Sequence, residues 1–261
     1  MTRTPLFRSL PAIALLAVLV AAPAHATRPY LFTESAAPLP AGGMQLEVGL
    51  AHQAWDQGNK VYDLMTEFSY SLYANLDLEL ELPYEVSGGG GTPFSDGVGD
   101  IWAKGKINFV KERAANPLTL SGQLGIKFPT GSAVSGTDAV DVRIAALASK
   151  PFGTMVAHAN LAYTFVGDDG ALDLNDVIGL GVGLESQTTV DRLTAVGEVV
   201  WQESPAPGGS ERTQVMGGGI YQLTHNMRAD ATLSLGLAPG SPPNDGAPDY
   251  GLSVGLTYTH P

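Results

Sequence analysis

Cysteine is absent, basic residues are few, and nothing beyond the first 25 residues is apolar for long enough to make a membrane helix. Without thiols there can be no disulfide scaffold, no iron-sulfur cluster, no Cys-ligated zinc and no lipid anchor on an N-terminal Cys. The 14 Lys and Arg stand against 26 Asp and Glu, a net charge of −12. That balance leaves no basic field to neutralise phosphates, so nucleic acid is excluded as a partner. Charged residues make up only 15% of the chain, where a soluble domain carries about 25%, yet the mean hydropathy is close to zero. Apolar residues interleaved with polar ones, and facing something other than water, would give that combination.

Chemical motifs are sparse as well. There is no His-Glu-x-x-His and no Walker phosphate loop. Gly179-x-Gly181-x-Gly183 lies within a strand pattern and opens no helix, so it is read as letting a barrel wall bend or keeping a lumen open. Asp168, Asp169, Asp173, Asn175 and Asp176 crowd one loop without EF-hand spacing, and are read as a solvated acidic loop. No cofactor, metal or catalytic residue is expected.

The N-terminus carries Arg3 and Arg8, an apolar stretch from Ala12 to Ala22, and Ala24-His25-Ala26. This is the pattern of a cleaved signal peptide over residues 1–26, too short in its apolar core to anchor. Residues 27–43, with Tyr30, Phe32 and several prolines, could thread into a lumen; the favoured reading is a periplasmic lead-in.

From Gly43 to the end the hydrophobic period is two. Leu76, Leu78, Leu80, Leu82 and Tyr84 share one face while Asp77, Glu79 and Glu81 share the other. Twelve such segments begin near residues 44, 61, 75, 99, 117, 139, 153, 176, 191, 211, 226 and 248. Their connections alternate between Gly- and Pro-rich stretches, such as 87–98 and 130–138, and tight turns, such as 73–75 and 187–190. Residues 44–261 therefore read as an all-β fold: a transmembrane up-and-down antiparallel β-barrel of about 12 strands, outer-membrane type. Small inward side chains, and aromatics such as Tyr84, Phe128, Phe152, Tyr221 and Tyr258 near strand ends, favour a membrane barrel over a soluble one.

On that reading the polar face lines a pore. It comprises acids Glu47, Asp63, Glu67, Asp77, Glu79, Glu81, Glu198 and Asp230, bases Lys104, Lys106, Lys127, Arg143, Arg192, Arg212 and Arg228, and the pair His158 and Asn160. Acids crowd the early strands and bases the later ones. Two arrangements fit: a transverse field across the lumen that sorts dipolar solutes, or ion pairs between adjacent strands that close a narrow lumen. His158 is read as a hydrogen-bonded lumen residue.

The run Phe94-Ser95-Asp96-Gly97-Val98-Gly99-Asp100, then Lys104 and Lys106, Phe128-Pro129-Thr130-Gly131, Ser149-Lys150, Asn160, Tyr163, Gly167 and Asp249-Tyr250-Gly251-Leu252 resembles the outer-membrane transporter family of the meta-pathway of phenol degradation. The resemblance implies an outer-membrane channel passing small molecules, aromatic or hydrophobic ones included. The expected partners are the solute, outer-membrane lipid and the barrel-assembly machinery, with a monomer as the unit. The chain departs from the common pattern at its end, where Thr259-His260-Pro261 replaces a terminal aromatic. The competing functions are an outer-membrane enzyme acting on lipid and a soluble periplasmic barrel that binds small molecules.

Overall fold

The computed structural model describes residues 32–55, 58–113, 117–132, 135–167, 174–237 and 246–261. The expected signal peptide and most of the acidic loop fall outside the described residues. Thirteen strands follow in order: β1 Met44–Ala54, β2 Asn59–Tyr73, β3 Leu76–Gly89, β4 Thr92–Val98, β5 Ile101–Val110, β6 Thr119–Phe128, β7 Asp141–Phe152, β8 Met155–Phe165, β9 Val177–Gln187, β10 Leu193–Gln202, β11 Arg212–Gln222, β12 Met227–Gly236 and β13 Tyr250–His260. Each pairs antiparallel with its neighbours, and β1 pairs with both β2 and β13, which closes the ring. The lower half of β3 pairs with β5 and its upper half with β4. Strands β4 and β5 are thus one stave interrupted at Gly99-Asp100, and the barrel has the twelve staves expected.

The run Gly88 to Gly91, within the Gly-rich connection expected at 87–98, is a hairpin turn between β3 and β4. Gly89, Gly90 and Gly91 take φ of 94°, 59° and 97°, a region that side chains rarely tolerate and glycine enters freely. The hairpin extends the wall beyond the long-loop rim.

The period of two has sorted the side chains. Leu46, Leu50, Leu78, Leu124, Leu161, Val182, Leu233 and Leu252 are exposed on the outside, while Glu47, Asp77, Gln123, Asn160 and Thr232 are buried on the inside. An exterior so apolar, with Tyr73, Phe109, Phe128, Phe152, Tyr221 and Tyr258 exposed near the strand ends, matches a lipid-facing belt between aromatic girdles. A soluble barrel would carry the opposite pattern. Leu124→Arg, in the middle of β6, is expected to cost about 2–4 kcal/mol in lipid. Urea-unfolding midpoints in vesicles check it, against the same change at inward Gln123.

Two motifs from the sequence meet at the long-loop rim. Asp100 accepts the N–H of Gly131 (2.8 Å) and the N–H and hydroxyl of Thr137 (2.9 and 3.0 Å), and Lys127 Nζ lies 3.7 Å away. The Ile101 N–H donates to Thr130 Oγ1 (3.0 Å), and Gly99 N–H to Pro83 O (2.9 Å). Gly-x-Gly-Asp and Pro-Thr-Gly together latch the broken stave to the following loop. Burial pushes the Asp100 carboxyl up, but these donors and the Lys127 charge outweigh it and hold the group below its ordinary range. The latch is therefore expected to hold at neutral pH and to loosen only as pH falls below the ordinary carboxylate value, through the lowered one. Asp100→Ala, leaving those donors without the carboxylate, costs about 1–3 kcal/mol, measurable as earlier proteolysis of loop 129–140.

Candidate functional site: an occupied lumen

Residues 32–39 lie inside the barrel. This corrects the favoured periplasmic lead-in, and the reason is a set of long-range polar contacts. The segment climbs from the short-turn rim, where Gly42 N–H donates to Ser71 O (2.9 Å) and the Leu39 N–H to Asp77 Oδ2 (3.0 Å). Ala36 O accepts Ser121 Oγ and Asn108 Nδ2, and the Ala36 N–H donates to Ser149 Oγ (2.8 Å). Glu34 accepts Gln123 Nε2 (2.7 Å), and its backbone is clasped by the Asn160 amide in the orientation that satisfies both groups. At the upper end the Phe32 and Thr33 N–H groups both donate to Glu198 Oε1 (3.1 and 2.6 Å). An irregular segment at membrane depth is tolerable here because the barrel interior satisfies its backbone.

Around this segment the charges pair between neighbouring staves, the second of the two arrangements expected. Lys104 Nζ contacts Glu81 (2.8 Å), Glu67 (3.1 Å) and Glu34 (3.6 Å); Lys106 contacts Glu79 (3.1 Å) and Asp77 (3.7 Å); Lys127 contacts Asp141 (2.6 Å). Gln123 bridges Glu34 and Glu79. On the far wall Arg228 feels the charges of Glu47, Glu185 and Asp230. Arg143 lies over the Phe32 ring, 4.7 Å from its centroid. Asp63 lies inward near Glu85 and Arg212, and Arg212 Nε donates to Gly246 O (3.2 Å). His158 Nδ1 bonds Ser149 Oγ (2.8 Å), with Glu185 3.6 Å from Nε2.

One predicted pore residue stands off the strands, at the mouth of both cavities described below. Arg192 stands in the turn between β9 and β10 at φ 62°, its side chain 56% exposed. The turn runs to residue 192 rather than ending at 190, so the strand starts later than its sequence suggests. Conversely, Glu34, Asn108, Gln123, Ser149, Glu185 and Gln214 belong to the lumen and were not among the predicted pore residues. All but Glu34 sit at inward strand positions, and parity could have found them.

Among the described residues the free space differs from place to place. Between Leu39, Glu67, Asp77, Glu79 and Lys106 the gap is only about 10 Å³. On the other side a cavity of about 490 Å³ lies at the turn between β9 and β10, lined by residues 187–193 together with Glu185, Thr194, Ile220 and Arg228. A second, of about 770 Å³, opens at the short-turn rim between residues 37–41, Gln222 and His225. The wall above the first is apolar, with Val196, Met216 and Ile220 buried together.

Ser149, His158 and Glu185 have the composition of a hydrolase relay. Ser149 faces inward, is buried, and already accepts the Ala36 N–H, which is not how a nucleophile is presented to lipid. Gly251-Leu252-Ser253-Val254-Gly255 has nucleophile-elbow spacing, but it runs through β13 and not through a strand-to-helix turn. Its Ser253 hydroxyl lies 2.6 Å from that of Thr232.

The family model described as "Putative MetA-pathway of phenol degradation" matches residues 30–244. No curated protein matches the sequence. Among solved structures, the chain is similar to the COG4313 outer membrane channel from Pseudomonas putida F1, at 14% identity and a TM-score of 0.73. That likeness covers 88% of this chain and 100% of the other. The NanC porin (9% identity, TM-score 0.57) and the KdgM porin (10%, 0.54) each cover 82% of this chain and 98% of their own. These likenesses, at such low identity, concern the fold, which is that of an outer-membrane barrel.

Proposed function

We propose, from the premise that this chain belongs to the family of the MetA-pathway of phenol degradation, that it is an outer-membrane channel for small organic molecules, and that its own N-terminal segment occupies part of the path. The observation that carries the reading is the division of the lumen: ion pairs fill the β2–β6 side, and cavities open into it from the short-turn rim at the ends of β9–β12. The cavity there carries charged Glu185 and Arg228 beside Ile220, and the inner wall beyond it is apolar at Val196 and Met216. Such a lining suits solutes with an apolar or aromatic body and a polar end. No covalent step is needed.

The test is solute uptake by proteoliposomes holding the mature chain. Small aromatic acids are expected to enter faster than saccharides of similar mass; equal rates, or no uptake, would sink the reading. The rival, an enzyme acting on lipid, draws on the Ser149–His158 contact. It requires ester hydrolysis by the wild type that His158→Ala abolishes. We expect no such activity, and altered currents in His158→Ala, because Ser149 loses the partner that orients it toward Ala36.

A further inference from the structure

The Phe32 ring lies in a slot whose floor is glycine backbone. A methyl group on Gly179 would stand 2.7 Å from Phe32 Cε2, and one on Gly181 would stand 2.7 Å from Phe32 Cδ1 and 2.5 Å from Thr33 Oγ1. Both positions point inward because residues two apart share a strand face. Glycine weakens a strand interior, so Gly179-x-Gly181 serves something that must approach the wall closely. The roof is Arg143, whose guanidinium lies over the ring face. Its buried Nε has no hydrogen-bond acceptor among the described residues. Two residues further on, Glu34 contributes a negative charge that Arg143 also feels. Residues 32–34 thus set a flat ring in the slot and a carboxylate nearby.

We propose that this slot is the solute subsite of the channel, that it takes a planar aromatic acid of the benzoate class, and that Phe32 is its tethered competitor. The proposal rests on the channel reading above. An incoming ring lies on Gly179 and Gly181 in place of Phe32, and its carboxylate supplies Arg143 with the acceptor that Phe32 cannot offer. It also replaces the charge of Glu34, which leaves with the segment. Because the solute and the segment compete for one slot, each weakens the binding of the other by the same factor. The tether gives Phe32 an effective concentration of roughly millimolar order, so solute at millimolar concentrations displaces it. Displacement lifts the upper end of the segment and widens the path: the transported molecule opens its own channel.

The experiment is current through the mature chain in planar bilayers, with sodium benzoate added, and with acetate and benzyl alcohol as probes lacking the ring or the charge. Benzoate is expected to raise the open fraction several-fold, while the other two do not. In Phe32→Ala the benzoate concentration for half effect falls about tenfold. In Arg143→Gln the preference for benzoate over benzyl alcohol disappears. Refolding of every variant is checked by heat-modifiable migration. Benzoate titrations of Phe32→Ala and Arg143→Gln that both match the wild type would overturn the subsite, as would an equal response to acetate. A chain lacking residues 27–39 that folds yet passes no KCl current overturns the channel reading and the subsite together. KCl current with no benzoate response in any variant overturns the subsite alone.

Discussion

Lys104→Met is expected to destabilise the folded barrel by about 3–5 kcal/mol, the usual loss when one partner of a buried ion pair is removed. Methionine fills much the same volume, so the cost is electrostatic and not a cavity. Lys104 holds Glu34, Glu67 and Glu81 within 3.6 Å. Without it, three carboxylates face one another in a lumen region with almost no free volume below them. Adding Glu67→Gln should recover part of the loss, because it removes one uncompensated charge. A double-mutant cycle on urea midpoints measures the coupling. Purely additive effects would mean that the contact seen between the two side chains carries no energy.

Glu198→Gln is expected to release the upper end of the inner segment. The carboxylate accepts two backbone N–H groups from Phe32 and Thr33. Both N–H groups meet the same oxygen, Oε1, which an amide can also present, so the substitution removes the charge that strengthens the two bonds and leaves the bonds themselves. Replacing charge-assisted bonds by neutral ones costs about 1–2 kcal/mol, which shifts the ratio of seated to released segment by roughly five- to thirtyfold. Single-channel records should show longer open times in Glu198→Gln, with the barrel's own stability little changed. Unchanged dwell times would mean that the segment is held elsewhere.

The barrel was legible because its physics is local and repeated. Each stave needs apolar residues at every second position to meet lipid, and Leu76 to Glu81 shows that pattern without help from the rest of the chain. The alternation of long and short connections supplied the topology. Inward charges were legible by parity: Glu47, Asp77, Glu79 and Lys106 are buried on the inner face. Arg192 stands off the strand because its turn takes a left-handed residue at 192, where no glycine announced it. The inner segment was illegible for another reason. Residues 32–39 have no period, and what binds them is donors and acceptors on β3, β5, β6, β7, β8 and β10, brought together only when the ring closes. The pairing of charges had the same origin. A list of inward residues shows which signs are present, whereas the register of β3 against β5 puts Glu79 opposite Lys104 and Asp77 opposite Lys106. Gly179 and Gly181 were noticed as glycines, but their use became visible only with Phe32 lying against them.

The central claim is that a channel runs through this lumen and that residues 32–39 narrow it. The most direct test is single-channel conductance of the mature chain beside a variant lacking residues 27–39, in the same lipid and salt. The account predicts small, interrupted currents for the intact chain, and a steady conductance several-fold larger for the shortened one. Equal conductance from the two, with both folded, would contradict it.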